Sequence, residues 1–326
     1  MIIHSENKMV KASMKANCVG MCFSFLVLLF GNIEYSQAQT VYLDSLYTTI
    51  EKSTYTYYNK PDEELKLDLF EPIENRHTDR PVILYVHGGG FSGGERDHPV
   101  HEDFLRHFAR KGYVTATMSY TLQRKGKSFG CDVNTGIKIE TFLKTARDIN
   151  RAAEFLIRKK EEFAINPSKI VIVGSSAGAE AVLHAAYWNL TKSDSTGVIL
   201  QNSFQYGGVI SMAGAILDIN HIINENAIPT QLFHGTDDQL VPYGIASHHY
   251  CPAVAPGFLM LFGAHAIMKR LQDIQSGYYL MTGINGKHEW NSMPLSDYRN
   301  EISDFVYHDV LLKKQRQINI EVQSDP

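Results

Sequence analysis

The chain has 326 residues, of which 44% are apolar and 20% are charged, and its 31 basic and 35 acidic residues give a formal charge of −4. This balance is typical of a folded globular protein and excludes disordered, collagen-like and low-complexity classes. The charge is slightly negative and forms no block, so the chain lacks the basic face of a nucleic-acid-binding protein. The length is sufficient for one large domain or two small ones.

The first predicted feature is a signal peptide at residues 1–38. An apolar run at 18–31 follows three lysines and is shorter than a membrane span of about 20 residues. Small side chains at Ser36 and Ala38 predict cleavage after Ala38, and an uncleaved anchor is the alternative. We therefore expect a secreted or periplasmic protein with no stable membrane anchor after cleavage. Of the four cysteines, Cys131 and Cys251 then remain, either as a disulfide or as two buried thiols.

Short apolar runs alternate with helical periods through the rest of the chain. Apolar runs without alternation, which are typical of strands buried on both faces, occur at 82–86, 113–118, 170–173, 209–212, 230–233 and 278–281. Amphipathic or apolar helical stretches occur at 142–156, 177–187 and 296–311. The alternating stretch at 65–70 predicts an antiparallel edge strand.

This order predicts an α/β fold with a mostly parallel central sheet and helices on both faces. No Pro- or Gly-rich linker divides the chain, so residues 39–326 are predicted to form a single domain. The stretches at 187–206 and 243–276 are predicted insertions of the kind that cover active sites.

A glycine triplet follows the first buried run, in the sequence His87-Gly88-Gly89-Gly90-Phe91. Consecutive glycines let the backbone approach a ligand closely and point N–H groups at it. In acyl transfer, fixed N–H donors stabilise the oxyanion of the tetrahedral intermediate by about 3–4 kcal/mol each. We predict that the N–H groups of Gly89 and Gly90, together with that of Ala177, form such an oxyanion hole.

The stretch Gly174-Ser175-Ser176-Ala177-Gly178 matches the G-x-S-x-G pattern between a predicted strand and a predicted helix. That context is the one a nucleophile elbow needs, because the sharp turn exposes the Ser176 hydroxyl at the carboxyl end of the sheet. The amino end of the following helix favours developing negative charge at the same place.

A serine nucleophile needs a base, and the base needs an acid that orients it. Asp238 follows the run that ends at Phe233, and His288 follows the run that ends at Met281 in a loop with Gly286. The order Ser176, Asp238, His288 is therefore the predicted catalytic triad. Asp237 is the alternative acid.

Four fragments together, HGGGF, GSSAG, HGTDDQLVP and GKHEW, resemble the esterase and lipase branch of the α/β-hydrolase superfamily over residues 60–312. The resemblance implies an α/β-hydrolase fold with cap-like insertions, and its usual acid motif selects Asp238 over Asp237. It departs from the hormone-sensitive-lipase-like members at Ser175, where those usually carry Asp. Secreted carbohydrate-esterase-like proteins are similar to this chain at least as well.

The resemblance and the motifs predict a secreted serine carboxylesterase that acts on small-molecule or polymer-attached esters through an acyl-enzyme, without a cofactor. An amidase or peptidase with the same triad, for example a formamidase-like enzyme, and a non-catalytic binding protein on the same scaffold are the alternatives. The natural ester and its acyl length stay open.

Several other residues invite a functional interpretation. His98 and His101 have a spacing compatible with metal binding on a helix, but exposed polar helix faces are commoner and we predict no metal. His248 and His249 are predicted to lie on the surface. Pocket lining and ordinary core packing are both open for four aromatic residues: Phe91, Trp188, Tyr243 and Trp290.

Overall fold

The computed structural model describes residues 40–75, 77–188, 200 and 204–324, and these belong to one compact unit. The predicted signal peptide and most of the predicted insertion at 187–206 lie outside the described residues. None of the helices that the structure describes is long and apolar enough to cross a lipid bilayer.

Twelve strands are found in the described residues. In chain order they are β1 (Ile50–Asn59), β2 (Glu64–Pro72), β3 (Arg80–Val86), β4 (Val114–Met118), β5 (Ile165–Ser175), β6 (Gly208–Met212), β7 (Ala215–Ile216), β8 (Thr230–Gly235), β9 (Ile245–Ser247), β10 (Met260–Gly263), β11 (Tyr278–Ile284) and β12 (Gln317–Gln323). Nine of them form one sheet in the order β1-β2-β4-β3-β5-β6-β8-β11-β12, and a small sheet has the order β7-β10-β9. In the large sheet, only the β1–β2 and β2–β4 pairs are antiparallel.

Helices cover both faces of the large sheet, as the sequence predicts. The helices are α1 (Pro99–Ala109), α2 (Thr135–Arg158), α3 (Ala177–Tyr187), α4 (Ala264–Asp273) and α5 (Arg299–Phe305). One apolar cluster joins the sheet to α2, α3 and α4, and a second joins the opposite face to α1 and α5.

Strand β3 illustrates why these runs lack alternation. Val82 and Leu84 belong to one apolar cluster, Ile83 and Tyr85 belong to the other, and all four side chains are fully buried. Each such side chain stabilises the fold by about 1.5–3 kcal/mol relative to exposure. A strand between two helical layers therefore has no position that favours a polar residue.

Three predictions about the elements need correction. The stretch at 65–70 is antiparallel but is not an edge strand, because β1 covers it and forms the edge. The predicted helix at 296–311 is shorter in α form: α5 passes into a π-helical segment, Val306–Leu311. Within the predicted insertion at 243–276, β9 and β10 lie in the small sheet, but α4 packs on the large sheet between β8 and β11.

The parallel strands place the predicted site at one edge of the sheet. The residues that follow β3, β5, β8 and β11 all lie at the carboxyl ends of these strands. In open α/β sheets, ligands bind at this edge. The glycine triplet, Ser176, Asp238 and His288 each belong to one of these four connections.

Candidate active site

Ser176 occupies a sharp turn between β5 and α3. Its backbone has φ 50° and ψ −120°, a left-handed conformation that costs a non-glycine residue about 1–3 kcal/mol. The two flanking glycines make the turn possible. A Cβ on Gly174 would lie 2.3 Å from the carbonyl oxygen of Gly178, and a Cβ on Gly178 would lie 2.2 Å from that of Val86. The local sequence therefore admits only glycine at both positions.

The structure brings Ser176, His288 and Asp238 into one chain of hydrogen bonds. The Ser176 Oγ lies 2.8 Å from His288 Nε2, and His288 Nδ1 lies 2.7 Å from Asp238 Oδ2. A carboxylate only accepts hydrogen bonds, so the proton between His288 and Asp238 comes from Nδ1. In the neutral imidazole, Nε2 is then an acceptor that faces the serine hydroxyl.

Asp238 is fully buried, and its carboxylate has four hydrogen-bond or ion-pair contacts. Oδ1 accepts from the N–H groups of Leu240 and Val241 at 2.8 and 3.0 Å, and Oδ2 contacts His288 and His234. Burial disfavours the charged form, but the hydrogen bonds from His234 and His288 outweigh it and lower the pKa of Asp238 below its usual range. Asp238 is therefore ionised and fixed.

The neighbouring Asp237 is exposed and does not contact His288 among the described bonds. Its side chain accepts from Thr236 Oγ1 at 3.1 Å. Its backbone N–H donates to the carbonyl oxygen of Gly286 at 2.8 Å, and that of Thr236 donates to Gly283 at 2.9 Å. Asp237 therefore helps to join the loop after β8 to the loop after β11, and it does so through its backbone rather than its carboxylate.

The glycine triplet packs against Ser176. A Cβ on Gly88 would lie 3.1 Å from the Cβ of Ser176. Gly89 and Gly90 have φ values of 111° and 60°, which favour glycine, and turn the chain back on itself. Ala177 is the first residue of α3, so its N–H has no acceptor within the helix. These three predicted donors thus lie on the two segments that meet at Ser176.

His87 supports the triplet. Its Nδ1 lies 2.7 Å from the carbonyl oxygen of Gly88, and its ring stacks on Tyr120 with centroids 4.4 Å apart. The Tyr120 hydroxyl donates to the carbonyl oxygen of His87 at 3.1 Å. The loop that follows β3 is therefore held from below by two buried aromatic side chains.

Sequence reasoning missed His234, the first residue of the acid motif. This fully buried side chain lies within β8, one residue before the strand ends, and its Nε2 lies 3.1 Å from the carbonyl oxygen of Val241 and 3.3 Å from Asp238 Oδ2. Both partners are acceptors, so Nε2 carries a proton. The position of this histidine four residues before Asp238 was the available signal.

Sequence reasoning also missed a buried pair formed by Glu180 of α3 and His248. Glu180 Oε1 lies 3.5 Å from His248 Nε2, and both side chains are almost completely buried. The prediction that His248 lies on the surface is therefore wrong, while His249 is half-buried. Burial raises the pKa of Glu180, as does the charge of Asp238, and burial lowers the pKa of His248. Both directions favour the neutral forms.

Cys131 and Cys251 form a disulfide whose Cα atoms are 5.3 Å apart, across 120 residues of sequence. Closing a loop of this length adds on the order of 4 kcal/mol to stability in the chain-entropy model. The bridge joins the segment before α2 to the segment between β9 and β10, close to His248 and His249.

The two histidines considered as metal ligands, His98 and His101, make contacts within the fold. His98 caps α1 through Val100, and the His101 ring contacts Tyr85 in a tilted arrangement with centroids 4.7 Å apart. The part of the chain that the structure describes contains no group of three or more His, Cys, Asp or Glu placed to bind a metal.

The four aromatic residues divide into two pairs. Phe91 and Trp290 are fully buried core residues. Trp188 and Tyr243 are partly exposed: the first stacks on His221, and the hydroxyl of the second lies 2.8 Å from Thr282 Oγ1.

Known proteins resemble this chain in sequence over part of its length. A family model described as BD-FAE matches residues 67–221, just under half of the chain. Gut esterase 1 of Caenorhabditis elegans is 27% identical over 144 residues, which cover 44% of this chain and 24% of that protein. The neuroligin-like protein glit-1 of the same organism is 30% identical over 150 residues, which cover 43% and 19%. The matches thus span about a quarter or less of these relatives.

Solved structures resemble it over most of its length. A thermophilic esterase from Thermogutta terrifontis, Est2, aligns with a TM-score of 0.59 and 17% identity over 80% of this chain and 92% of that chain. The same esterase phosphorylated by paraoxon aligns with a TM-score of 0.57. The likeness confirms the predicted architecture, and the chain has the α/β-hydrolase fold.

Proposed function

We propose that this α/β-hydrolase-fold protein is an exported serine carboxylesterase in which Ser176, His288 and Asp238 are the catalytic triad. The observation that carries the proposal is the continuous set of hydrogen bonds from Ser176 Oγ through His288 to Asp238, at 2.8 and 2.7 Å. The esterases among the similar proteins support the same reaction class.

In the first half-reaction, the Ser176 hydroxyl attacks the ester carbonyl while His288 Nε2 accepts its proton. The imidazolium that forms is stabilised by the Asp238 carboxylate, which stays ionised because four groups donate to it or pair with it. His288 then donates the proton to the leaving alcohol, and an acyl-enzyme remains on Ser176.

In the second half-reaction, water replaces the alcohol. His288 Nε2 accepts a proton from the water as it attacks the acyl carbonyl, and returns that proton to Ser176 Oγ as the carboxylic acid leaves. Both tetrahedral intermediates carry an oxyanion, which we assign to the N–H groups of Gly89, Gly90 and Ala177. Each donor contributes about 3–4 kcal/mol to the transition state. These steps need no metal or organic cofactor from the protein.

Export is part of the proposal. The predicted signal peptide at 1–38 precedes the catalytic domain, and a disulfide between Cys131 and Cys251 is typical of proteins in oxidising compartments. A protein outside the cytoplasm encounters polymer-attached and small soluble esters. We propose both classes as substrates, because Ser176 lies at the carboxyl edge of the sheet.

The test is the initial hydrolysis rate on p-nitrophenyl acetate, butyrate, octanoate and palmitate, with Ser176→Ala as the control. We expect saturable hydrolysis that Ser176→Ala reduces by about 10⁴-fold or more while the unfolding midpoint stays within error. Mass spectrometry after treatment with an alkyl phosphonate should locate the adduct on Ser176.

The alternatives have their own outcomes. Faster cleavage of p-nitroacetanilide than of p-nitrophenyl acetate would make the protein an amidase with the same triad. Absence of both the phosphonate adduct and Ser176-dependent turnover would leave a non-catalytic binding protein.

A further inference from the structure

The disulfide lies on a short segment that contacts both halves of the candidate site. We define residues 247–251 as the tether segment. The N–H of His249 donates to the carbonyl oxygen of Leu240 at 2.9 Å, and the N–H of Leu240 donates to Asp238 Oδ1 at 2.8 Å. His248 contacts Glu180, which lies on the nucleophile helix four residues after Ser176. We call residues 236–241, which contain Asp238, the acid loop. The tether segment therefore supports the acid loop on one side and packs on α3 on the other.

The tether segment is strained at the two residues that precede the disulfide. His249 and Tyr250 have φ values of 57° and 51°, and both are bulky residues in the left-handed region that favours glycine. Such a conformation persists only where the surroundings impose it. Cys251 comes directly after these residues and is covalently joined to Cys131. The bridge is thus placed to maintain the conformation that presents the His249 N–H to Leu240.

A buried cation lies beside one sulfur atom of the bridge. Lys138, on α2, is fully buried, and its Nζ lies 3.8 Å from Cys251 Sγ and 3.0 Å from the carbonyl oxygen of Gly257. An ammonium group next to a sulfur stabilises the thiolate over the thiol. Stabilising the thiolate favours the reduced state, as in disulfides that exchange readily.

The two sulfur-bearing residues differ in exposure. Cys131 is partly exposed, whereas only 2% of Cys251 is accessible. We therefore infer that an external thiol attacks Cys131 Sγ, the sulfur of the more exposed residue, and that the sulfur that leaves is the one beside Lys138. The attack site and the stabilised leaving group are on opposite sides of the bond, which is the arrangement that thiol–disulfide exchange requires.

We propose that Cys131–Cys251 is a thiol–disulfide exchange site that controls the catalytic acid through the tether segment, with a dithiol as its reductant. The proposal rests on the proposed esterase function, because it concerns the regulation of that site. With the bridge closed, Leu240 and Asp238 are held for His288. With the bridge open, the left-handed residues relax, the His249 N–H leaves Leu240, and the acid loop loses a support.

The exchange takes place in two steps. A thiolate of the dithiol attacks Cys131 Sγ, the Cys131–Cys251 bond breaks, and its electron pair leaves on Cys251 Sγ as a thiolate beside Lys138. In the mixed disulfide, one sulfur of the reductant is bonded to Cys131 Sγ. The second thiolate of the reductant attacks that reductant sulfur, and Cys131 leaves as a thiolate. The dithiol is oxidised to a cyclic disulfide by two electrons, and the protein disulfide is reduced by the same two electrons.

The first experiment measures reduction itself. The mature protein is equilibrated with defined ratios of reduced to oxidised dithiothreitol, and free thiols are counted by alkylation and intact mass. We expect half-reduction of Lys138→Met to require a ratio of reduced to oxidised dithiothreitol that is about tenfold higher than for the wild type. Lys138→Arg should remain close to the wild type. Lys144→Met is the matched control, since Lys144 lies on the same helix and pairs with Glu140 at the surface. Equal ratios for wild type and Lys138→Met would overturn the assignment.

The second experiment measures the consequence. After reduction and removal of the dithiol, we expect kcat on p-nitrophenyl acetate to fall by about tenfold with little change in KM, and Cys131→Ser/Cys251→Ser to match the reduced wild type. The downfield proton resonance of the His288–Asp238 hydrogen bond should weaken on reduction, a readout that does not require turnover. An unchanged kcat and resonance after full reduction would refute the control of Asp238. Absence of Ser176-dependent turnover in the oxidised protein would instead refute the esterase, while the resonance and the half-reduction ratio still test the exchange site.

Discussion

The proposed nucleophile and the proposed acid–histidine pair are positioned in two different ways. Ser176 is fixed by its own stretch of chain, since β5 ends one residue before it, α3 begins one residue after it, and Gly174 and Gly178 are in close contact. Asp238 and His288 are 50 residues apart and are joined by hydrogen bonds between two loops. The elbow is therefore a local device that works as a unit, whereas the acid–histidine pair depends on several separate contacts and should weaken in steps.

The largest expected effect on kcat distinguishes two adjacent carboxylates of the acid loop, Asp237 and Asp238. Asp238→Asn should lower kcat by about 10⁴-fold, because an amide in this place favours the wrong imidazole tautomer of His288. Asp237→Asn should stay within about twofold, because the contact of Asp237 to the histidine loop is made by its backbone. Steady-state rates of the two variants decide the matter. A larger loss in Asp237→Asn would reverse the assignment of the acid.

A smaller effect is expected where the glycine loop meets the elbow. In Gly88→Ala the new Cβ would lie 2.9 Å from the carbonyl oxygen of Ser175 and push the predicted oxyanion donors away from Ser176. We expect a loss of about 10²-fold in kcat, comparable with the loss of one oxyanion donor. Gly93→Ala is the control, since its Cβ meets no atom within 4 Å. Similar rates for the two variants would mean that the loop tolerates displacement.

A partial loss of kcat is expected when His234 is replaced. His234→Phe keeps a planar ring, removes the donor to Asp238 Oδ2 and leaves the two backbone donors and His288 in place. We expect kcat to fall by about tenfold and the unfolding free energy to fall by about 1–3 kcal/mol, the cost of a lost bond to a charged group. Activity and urea unfolding measured on one preparation test both. A loss as large as that of Asp238→Asn would show that the pair does not weaken in steps.

The smallest effect concerns stability and pH. The pKa of Asp238 lies below its usual range in the folded protein, so its charge stabilises the fold above the unfolded-state pKa of about 4. This contribution is lost as the pH falls through the folded-state pKa. The stability gap between wild type and Asp238→Asn should therefore narrow between pH 6 and pH 3 in urea titrations. A gap that widens on acidification would contradict the depressed pKa.

The sequence was most informative where structure is local. The elbow at 174–178 needs only a strand, two glycines and a helix, and all of these lie within a few residues of one another. The parallel strands were equally accessible, since a run buried on both faces has a composition that does not depend on its partners. The order of Ser176, Asp238 and His288 along the chain follows from the order of those strands.

Features that depend on distant partners were missed or misjudged. Strands β1 and β12 alternate between exposed and half-buried residues, and nothing local distinguishes such edges from loops. Because the sequence does not predict β1, it predicts the stretch at 65–70 as the edge strand. His248 is buried because Phe142, Phe129 and Glu180 surround it, and these lie more than 60 residues away. The pairing of Cys131 with Cys251 has the same origin.

The position of His288 has a consequence for biosynthesis. His288 follows β11, which is the eighth strand along the chain of the nine in the large sheet. The ribosome produces the elbow and the glycine loop much earlier, and domains fold as their residues emerge. A nascent chain that stops before residue 288 thus carries a serine without its proton acceptor. If His288 is the base of the proposed triad, products that terminate before residue 288 would therefore be catalytically silent.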